Sequence, residues 1–324
     1  MDNRITKRRL SDFLAYEWIL IIIAIVASII VWELIYSVSA VRLTVGQQFK
    51  YYFDQSVSSS GSSQFYNLLI DDDTFSYDVL ELNTETLTAD YNVLSVRLSI
   101  YEGDVIITDA KEAAEDAEDK TVRAKTLVDN SYGEKSECGM YDYQKLLSDA
   151  KAYLLGFMKT EVISIDNIDE AKVEAHFRER MKKDNRFRSE EQKIEGIKLE
   201  VGRIKKLAKE VLDFEKLMAL GDEYFFTYRK YEQTLSSMSD DDRNKSAYQD
   251  AYDKQQTLRY GLRVGKLTGG EKNPSTYFKM QGADTADDVV IMIFDFKSQQ
   301  PDLQYECISF INTIVRACSN IYSA

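Results

Sequence analysis

The sequence predicts a helix-rich α/β protein that begins with one transmembrane helix. An apolar run without charge covers residues 18–32. Two short runs rich in branched side chains, at residues 104–109 and 289–296, are typical of buried strands. Apolar residues spaced three and four apart follow Ser189, and the chain has only 2 prolines in 324 residues, a composition that favours long unbroken helices.

The apolar run predicts a membrane span if it continues past residue 32. Residues 18–32 alone reach about 22 Å, less than a hydrocarbon core of roughly 30 Å, whereas continuing to Ala40 reaches about 34 Å. That extension includes Glu33. The isoleucine, leucine and valine residues contribute about 4–8 kcal/mol, more than the cost of one off-centre carboxylate, about 3 kcal/mol. We therefore predict a transmembrane signal-anchor helix at residues 18–40, with the lipid bilayer as its partner.

The charges around this span predict its orientation. Three basic residues, 7–9, precede it, so the positive-inside rule makes residues 1–17 a cytoplasmic tail and puts the rest outside the cell membrane. The alternative is a signal peptide cleaved after residues 38–40, which are small enough for a cleavage site. The long segment before the span and the aromatic residues Trp18 and Trp32 favour an uncleaved, single-pass anchor.

The charge balance excludes nucleic acid as a partner. The net charge is −13, and the first 40 residues contribute none of it, because their four basic and four acidic residues cancel. The exported part is therefore acidic and repels phosphate backbones and anionic lipid headgroups. The sequence predicts no cofactor.

The exported chain begins with two segments of different character. Residues 41–63, which contain the serine-rich tract 56–63, are predicted to be a stalk and a flexible linker. Residues 64–142 are predicted to be the first part of an α/β core, with a strand at residues 75–83 and another at 104–109. Residues 89–101 fit a helix or a strand, and the pattern alone leaves both open. Residues 110–120 are predicted to be helical.

A helical section is predicted over residues 143–265. Amphipathic helices cover residues 143–158 and 168–183, and a capping box at residues 189–192 opens a long helix that ends near Gly221. A second helix beginning at Asp222 would pair with it in antiparallel fashion.

That pattern places Phe225 and Tyr228 on one face of the second helix, and a shorter helix follows near residues 247–258. Residues 266–324 are predicted to complete the core, with a strand at 289–296 and a last helix opened by Pro301.

Catalytic and metal-binding motifs are absent from the sequence. The single histidine, His176, lies in a charged helix and is predicted to be a surface residue. The aspartates 71–73 lack the spacing of a calcium loop and are predicted to be turn residues. Cys307 and Cys318 lie about 16 Å apart on a helix, too far for a disulfide, while the pairing of Cys138 stays open. We predict no catalytic residue and no metal site, and the binding residues are unknown.

One stretch carries a family resemblance. Residues 77–109 and the step Gly103-Asp104-Val105 resemble the first lobe of bacterial extracellular solute-binding proteins, and residues 285–296 look like a returning core strand of that fold. The chain is also similar to uncharacterised single-span membrane proteins of Gram-positive type. The resemblance implies a solute-binding-like core and a helix at residues 89–101. The lipid-attachment cysteine of the family is missing, and no binding residue is carried over.

Three function classes follow. The first is a membrane-anchored, solute-binding-like receptor or accessory of a transport system, without catalysis, whose small-molecule ligand the sequence does not name. The second is a structural or protein-interaction membrane protein that uses the helical section as a docking surface for a membrane complex. The third, an exported enzyme, is disfavoured because no catalytic constellation supports it.

Overall fold

A computed structural model describes residues 18–39, 43, 47–87, 91–100, 102–111, 122–129, 138–228, 257–296 and 305–323. The chain divides into two units, residues 1–42 and 43–324. The first unit contains helix α1, Trp18–Ser39. Within the described residues, α1 is the one helix long and apolar enough to cross a membrane, from Trp18 to Tyr36, and none of that stretch is buried. It fits a membrane anchor or a signal peptide.

The second unit is a mixed α/β domain, as the sequence predicts. Its described strands are β1 Gln48–Asp54, β2 Val57–Ser58, β3 Glu81–Leu87, β4 Val105–Asp109, β5 Cys138–Met140, β6 Phe225–Tyr228, β7 Leu258–Arg263, β8 Lys279–Met280 and β9 Val289–Phe296. Its described α-helices are α2 Ser62–Asp71, α3 Tyr91–Ser99, α4 Arg123–Asp129, α5 Tyr143–Leu155, α6 Glu170–Arg180, α7 Glu190–Met218 and α8 Glu306–Cys318.

The main sheet has the strand order β3-β1-β4-β9-β7-β6, and β5 pairs with the far end of β9. Strands β3, β1 and β4 are parallel to one another, whereas β9 is antiparallel to both β4 and β7. The strands predicted at residues 104–109 and 289–296 are confirmed, and both are buried along their described length.

Alternating side chains of the sheet supply two hydrophobic cores. On one face, Tyr51, Ile107 and Ile291 belong to the core that also contains residues of α2, α5, α7 and α8. On the other face, Tyr52 and Met292 belong to the core completed by residues of α3 and α4. A sheet covered on both faces requires apolar side chains at successive positions, which explains the continuous apolar run of β9.

The stalk and flexible linker predicted for residues 41–63 are wrong from Gln48 onward. Residues 48–54 form β1, which lies between β3 and β4 in the sheet. Its side chains Phe49, Tyr51 and Phe53 are buried, so burial of a strongly apolar segment outweighs the polar tract that follows it. The serine tract itself is ordered: Ser58 caps the turn 59–61 with its side chain, and α2 follows.

The predicted antiparallel helix pair is also corrected. The long helix and its capping box are confirmed as α7, in which Ser189 and Gln192 satisfy each other's backbone groups. After Gly221, however, the chain makes a short turn and enters β6, not a second helix. Phe225 and Phe226 both become buried, on opposite sheet faces, and a helix would not present consecutive aromatic residues to two cores. Consequently residues 143–265 are not purely helical.

The remaining differences concern element boundaries. The strand predicted at residues 75–83 is displaced to 81–87, and residues 89–101 contain helix α3. Helices α5 and α6 confirm the two amphipathic helices. The last helix is described from Glu306. Pro301, most of the helix predicted at residues 110–120 and most of the short one at 247–258 lie outside the described residues, and the two described residues of the first, 110 and 111, are not helical.

Candidate functional site

The parallel half of the sheet has a topological switch point between the carboxyl ends of β1 and β4. From β1 the chain passes through α2 to β3 on one side, whereas from β4 it continues to α4 and then β5, which pairs with β9 on the other side. Neighbouring parallel strands whose connections leave in opposite directions open a crevice at their carboxyl ends, where α/β proteins commonly bind ligands.

Polar residues end both strands at this crevice. Asp54 is the last residue of β1, and Asp109 is the last residue of β4. The register pairs Phe53 with Ile107, so Asp54 lies beside Thr108. The Thr108 hydroxyl donates a hydrogen bond of 3.0 Å to Asp54 Oδ2.

Arg123 joins the two strand ends. It is the first residue of α4, and its Nη1 lies 2.7 Å from Asp54 Oδ1, while its Nε lies 3.9 Å from Asp109 Oδ2. The Asp54 side chain is only 2% exposed, whereas that of Arg123 is 24% exposed. One guanidinium thus serves two carboxylates, and the three side chains together carry a charge of −1.

A serine completes the group. The Ser56 backbone N–H donates to Asp54 Oδ1 at 3.3 Å, and the buried Ser56 Oγ has no hydrogen-bond partner among the described residues. A buried hydroxyl without a partner costs free energy, so such a group is a natural place for a ligand or a water to bind. We call these residues the carboxyl-edge cluster: Asp54, Ser56, Thr108, Asp109 and Arg123.

The cluster is suited to recognising hydrogen-bond donors. Asp109 Oδ1 accepts from the Lys111 N–H at 3.1 Å. Among the described residues, Oδ2 has only Arg123 Nε at 3.9 Å, which leaves acceptor capacity on Asp109. A solute with an ammonium group or several hydroxyls would supply the missing donors. Within the described part of the chain, no group of three or more His, Cys, Asp or Glu side chains could hold a metal ion.

A second polar group, which we call the helix-side ion network, consists of Asp78, Arg180, Arg186, Glu200 and Arg203. Glu200 Oε1 lies 2.8 Å from Arg203 Nη2, and Glu200 Oε2 lies 2.8 Å from Arg180 Nη2. Arg180 also bonds to Asp78, whose second oxygen lies 2.6 Å from Arg186 Nη2. The network ties the loop before β3 to α6 and α7. Its three arginines and two carboxylates carry a charge of +1, which Asp184, 2.8 Å from Arg186 Nη2, balances.

His176 differs from the surface residue that the sequence predicts. Its side chain is 32% exposed and lies beside the helix-side ion network, with Nδ1 4.0 Å from Glu200 Oε1. Its ring packs edge-to-face on Phe157 with centroids 5.1 Å apart. The histidine is therefore half-buried in an aromatic contact.

The cysteine and aspartate predictions are confirmed where the structure describes them. Cys307 and Cys318 are free and buried in α8, and burial raises the pKa of the Cys318 thiol to about 12. Aspartates 71–73 end α2, with Asp73 in the left-handed region at φ 46°. Cys138 lies in β5, and its side chain is outside the described set.

Sequence reasoning missed the carboxyl-edge cluster. Asp54 fell in the predicted stalk, and Arg123 was assigned to no element. One sequence signal could have identified Asp54 and Asp109: each ends a strand-like run, QFKYYFD and VIITD respectively. The chain matches no protein-family model, no curated protein sequence and no solved structure.

Proposed function

We propose that residues 43–324 form a membrane-anchored, extracytoplasmic binding domain that takes a small polar solute at the carboxyl-edge cluster. In this role the protein would serve as a receptor or accessory of a transport system. The observation that carries the proposal is the convergence of Asp54, Asp109 and Arg123 at the crevice between β1 and β4.

The ligand class follows from the charges of the cluster. Asp54 is already neutralised by Arg123, whereas Asp109 keeps a free acceptor edge. We therefore expect a solute that presents an ammonium group to Asp109, with polar atoms that can bond the Ser56 hydroxyl. The net negative charge of the cluster disfavours simple anions.

The anchoring part of the proposal rests on α1. The helix is uncharged apart from Glu33 and long enough to span a bilayer, and the basic residues 7–9 favour a cytoplasmic N-terminus. A fusion of reporter domains to each end tests this orientation. A cytoplasmic signal from the C-terminal reporter would reverse it.

Binding without catalysis is the expected activity. The chain has one histidine, and it packs beside the helix-side ion network instead of the carboxyl-edge cluster. The thiols of Cys307 and Cys318 are buried in the core with raised pKa values, so they are poor nucleophiles. Turnover of a solute by purified protein would refute this part of the proposal.

A thermal-shift screen of the full-length protein in lipid nanodiscs tests solute binding. A ligand at about 100 times its dissociation constant stabilises the folded state by about 2.7 kcal/mol. We expect shifts with amine-bearing solutes such as amino acids or polyamines, and we expect Asp109→Asn to abolish them.

Asp295→Asn is the matched control. Asp295 lies in β9 of the same sheet, at the opposite end of the strands from Asp109. Its side chain is 10% exposed, against 9% for Asp109. Loss of the shift in both variants would assign the effect to general destabilisation. Absence of any shift, together with co-purification of a membrane protein, would favour the alternative function as an interaction protein.

A further inference from the structure

A pocket at one end of the helical part is basic, although the chain as a whole is acidic. Its volume is about 400 Å³, and its basic lining residues are Arg178, Lys182, Arg188 and Lys193. Six basic and two acidic residues lie between positions 178 and 188, a local net charge of +4 in a chain of −13. We call this cavity the basic pocket.

The floor of the basic pocket is apolar. Phe177, Met181 and Phe187 line it and are themselves buried, and Phe177 packs edge-to-face on Phe187 with centroids 5.0 Å apart. A ring of flexible cations above an apolar floor suits an amphipathic anion, because the charged heads can bond phosphate oxygens while the stems cover apolar atoms.

Two cations of the pocket, Arg178 and Lys193, form ion pairs with exposed glutamates. Arg178 lies 2.8 Å from Glu174, which is 45% exposed, and Lys193 lies 2.6 Å from Glu190, which is 66% exposed. Exposed ion pairs of this kind are weak, so a phosphate group can displace them. The acid that lines the pocket, Asp184, is bonded to Arg186 at 2.8 Å.

The length of chain between α1 and the pocket limits how far apart the two can be. Gln47 Nε2 donates to Asp184 Oδ2 at 3.5 Å. Eight residues, 40–47, join the end of α1 to this contact, and a fully extended chain of that length reaches at most about 29 Å. For a chain anchored by α1, this tether raises the effective concentration of lipid headgroups at the domain, whereas a free anion has no such tether.

We propose that the basic pocket binds the phosphate of an anionic lipid headgroup in the membrane that holds α1. This inference uses the anchorage part of the proposed function and none of the solute-binding part. Ile194, which follows Lys193 and is 52% exposed, supplies an apolar contact at the lipid interface. The contact would fix one end of the domain against the bilayer.

Lysine acetylation of the full-length protein in nanodiscs tests the proposal by mass spectrometry. In discs that contain phosphatidylglycerol, we expect Lys182 and Lys193 to react about fivefold more slowly than in discs of phosphatidylcholine alone. The control lysines Lys159 and Lys205 line another pocket of about 420 Å³ and should react equally in both.

Three outcomes would overturn the proposal. Equal reaction of Lys182 and Lys193 in both kinds of disc would exclude lipid binding. Equal protection by inorganic phosphate in neutral discs would make the pocket a site for free anions. Failure of the chain to remain in discs at all would refute anchorage, and solute binding at the carboxyl-edge cluster would be unaffected.

A pair of charge-reversal variants gives a second readout. Lys182→Glu with Arg188→Glu should remove phosphatidylglycerol adducts in native mass spectra of the full-length protein. The matched pair Lys159→Glu with Lys205→Glu changes the net charge equally and should retain them. Loss of adducts in both pairs would show that net charge, and not the basic pocket, holds the lipid.

Discussion

The helix-side ion network and the carboxyl-edge cluster both pair buried carboxylates with arginines, but they differ in how many guanidinium groups each carboxylate meets. In the first, Glu200 and Arg203 are at most 1% exposed along their side chains, and Glu200 meets two guanidinium groups. In the second, one guanidinium, Arg123, is 24% exposed and serves both Asp54 and Asp109.

This difference separates a structural role from a binding role. A buried charge whose bonds are all made within the protein has no capacity left for a ligand, and it destabilises the fold strongly when one partner is removed. A carboxylate with an unfilled acceptor edge can accept a hydrogen bond from a ligand without losing a protein partner. We therefore expect mutations in the two groups to separate stability from solute binding.

The largest expected effect is on stability, from Glu200→Gln. This change leaves Arg180 and Arg203 buried without their shared counter-charge, and we expect a loss of about 3–5 kcal/mol in the free energy of unfolding. Chemical denaturation followed by circular dichroism measures it. Glu190→Gln, at a 66%-exposed site in the same helix, should leave the free energy of unfolding nearly unchanged. Similar values for the two variants would refute the structural role.

A smaller loss of stability is expected from Arg123→Gln. Asp54 is 2% exposed and would lose its ionic partner, but it would keep the hydrogen bonds from the Thr108 hydroxyl and the Ser56 N–H. We expect a loss of about 1–2 kcal/mol, because the pair is partly open to solvent. Denaturation curves test this value, and a loss equal to that of Glu200→Gln would remove the contrast between the two groups.

A third carboxylate, Asp104, adds a pH dependence to the strand that carries Asp109. Burial raises the pKa of Asp104 to about 7, although a hydrogen bond from the Lys50 N–H at 2.8 Å opposes the shift. The folded state therefore holds this proton more tightly than the unfolded chain, in which the pKa is about 4. The stabilisation is complete below about pH 4 and is lost as pH rises toward 7.

Comparing the wild type with Asp104→Asn isolates the pH-dependent stabilisation that comes from the Asp104 proton. Between about pH 4.5 and 8, we expect the wild type to lose about 1–2 kcal/mol relative to the variant, after allowance for partial exposure of the side chain. Denaturation at several pH values measures the difference. A difference between the two proteins that does not change with pH would contradict the raised pKa.

The smallest expected effect on stability is that of Asp109→Asn. An asparagine keeps an oxygen to accept the Lys111 N–H bond, and Arg123 is bonded more closely to Asp54, so stability should change by less than about 0.5 kcal/mol. Solute binding should be lost. A variant that is strongly destabilised, or one that still binds, would place Asp109 with the structural carboxylates.

Local sequence signals predicted the elements that are strongly periodic or continuously apolar. The capping box at Ser189, the amphipathic helices α5 and α6, and the buried strands β4 and β9 follow from spacing alone. The same spacing wrongly predicted a helix at residues 225–228, because aromatic residues fit a helical stripe and a strand equally well. Strand β1 was missed because the serine tract beside it suggested a linker.

The sequence by itself determined the apolar helix α1, the acidic character of residues 41–324 and the helical or extended state of their most regular segments. These properties depend on residues close together in the chain, where hydrophobic period and caps act. Only the tertiary structure decided that β1 lies between β3 and β4, and therefore that Asp54 meets Thr108 and Arg123. The reason is that strand pairing joins distant segments through backbone bonds, which carry no local sequence signal.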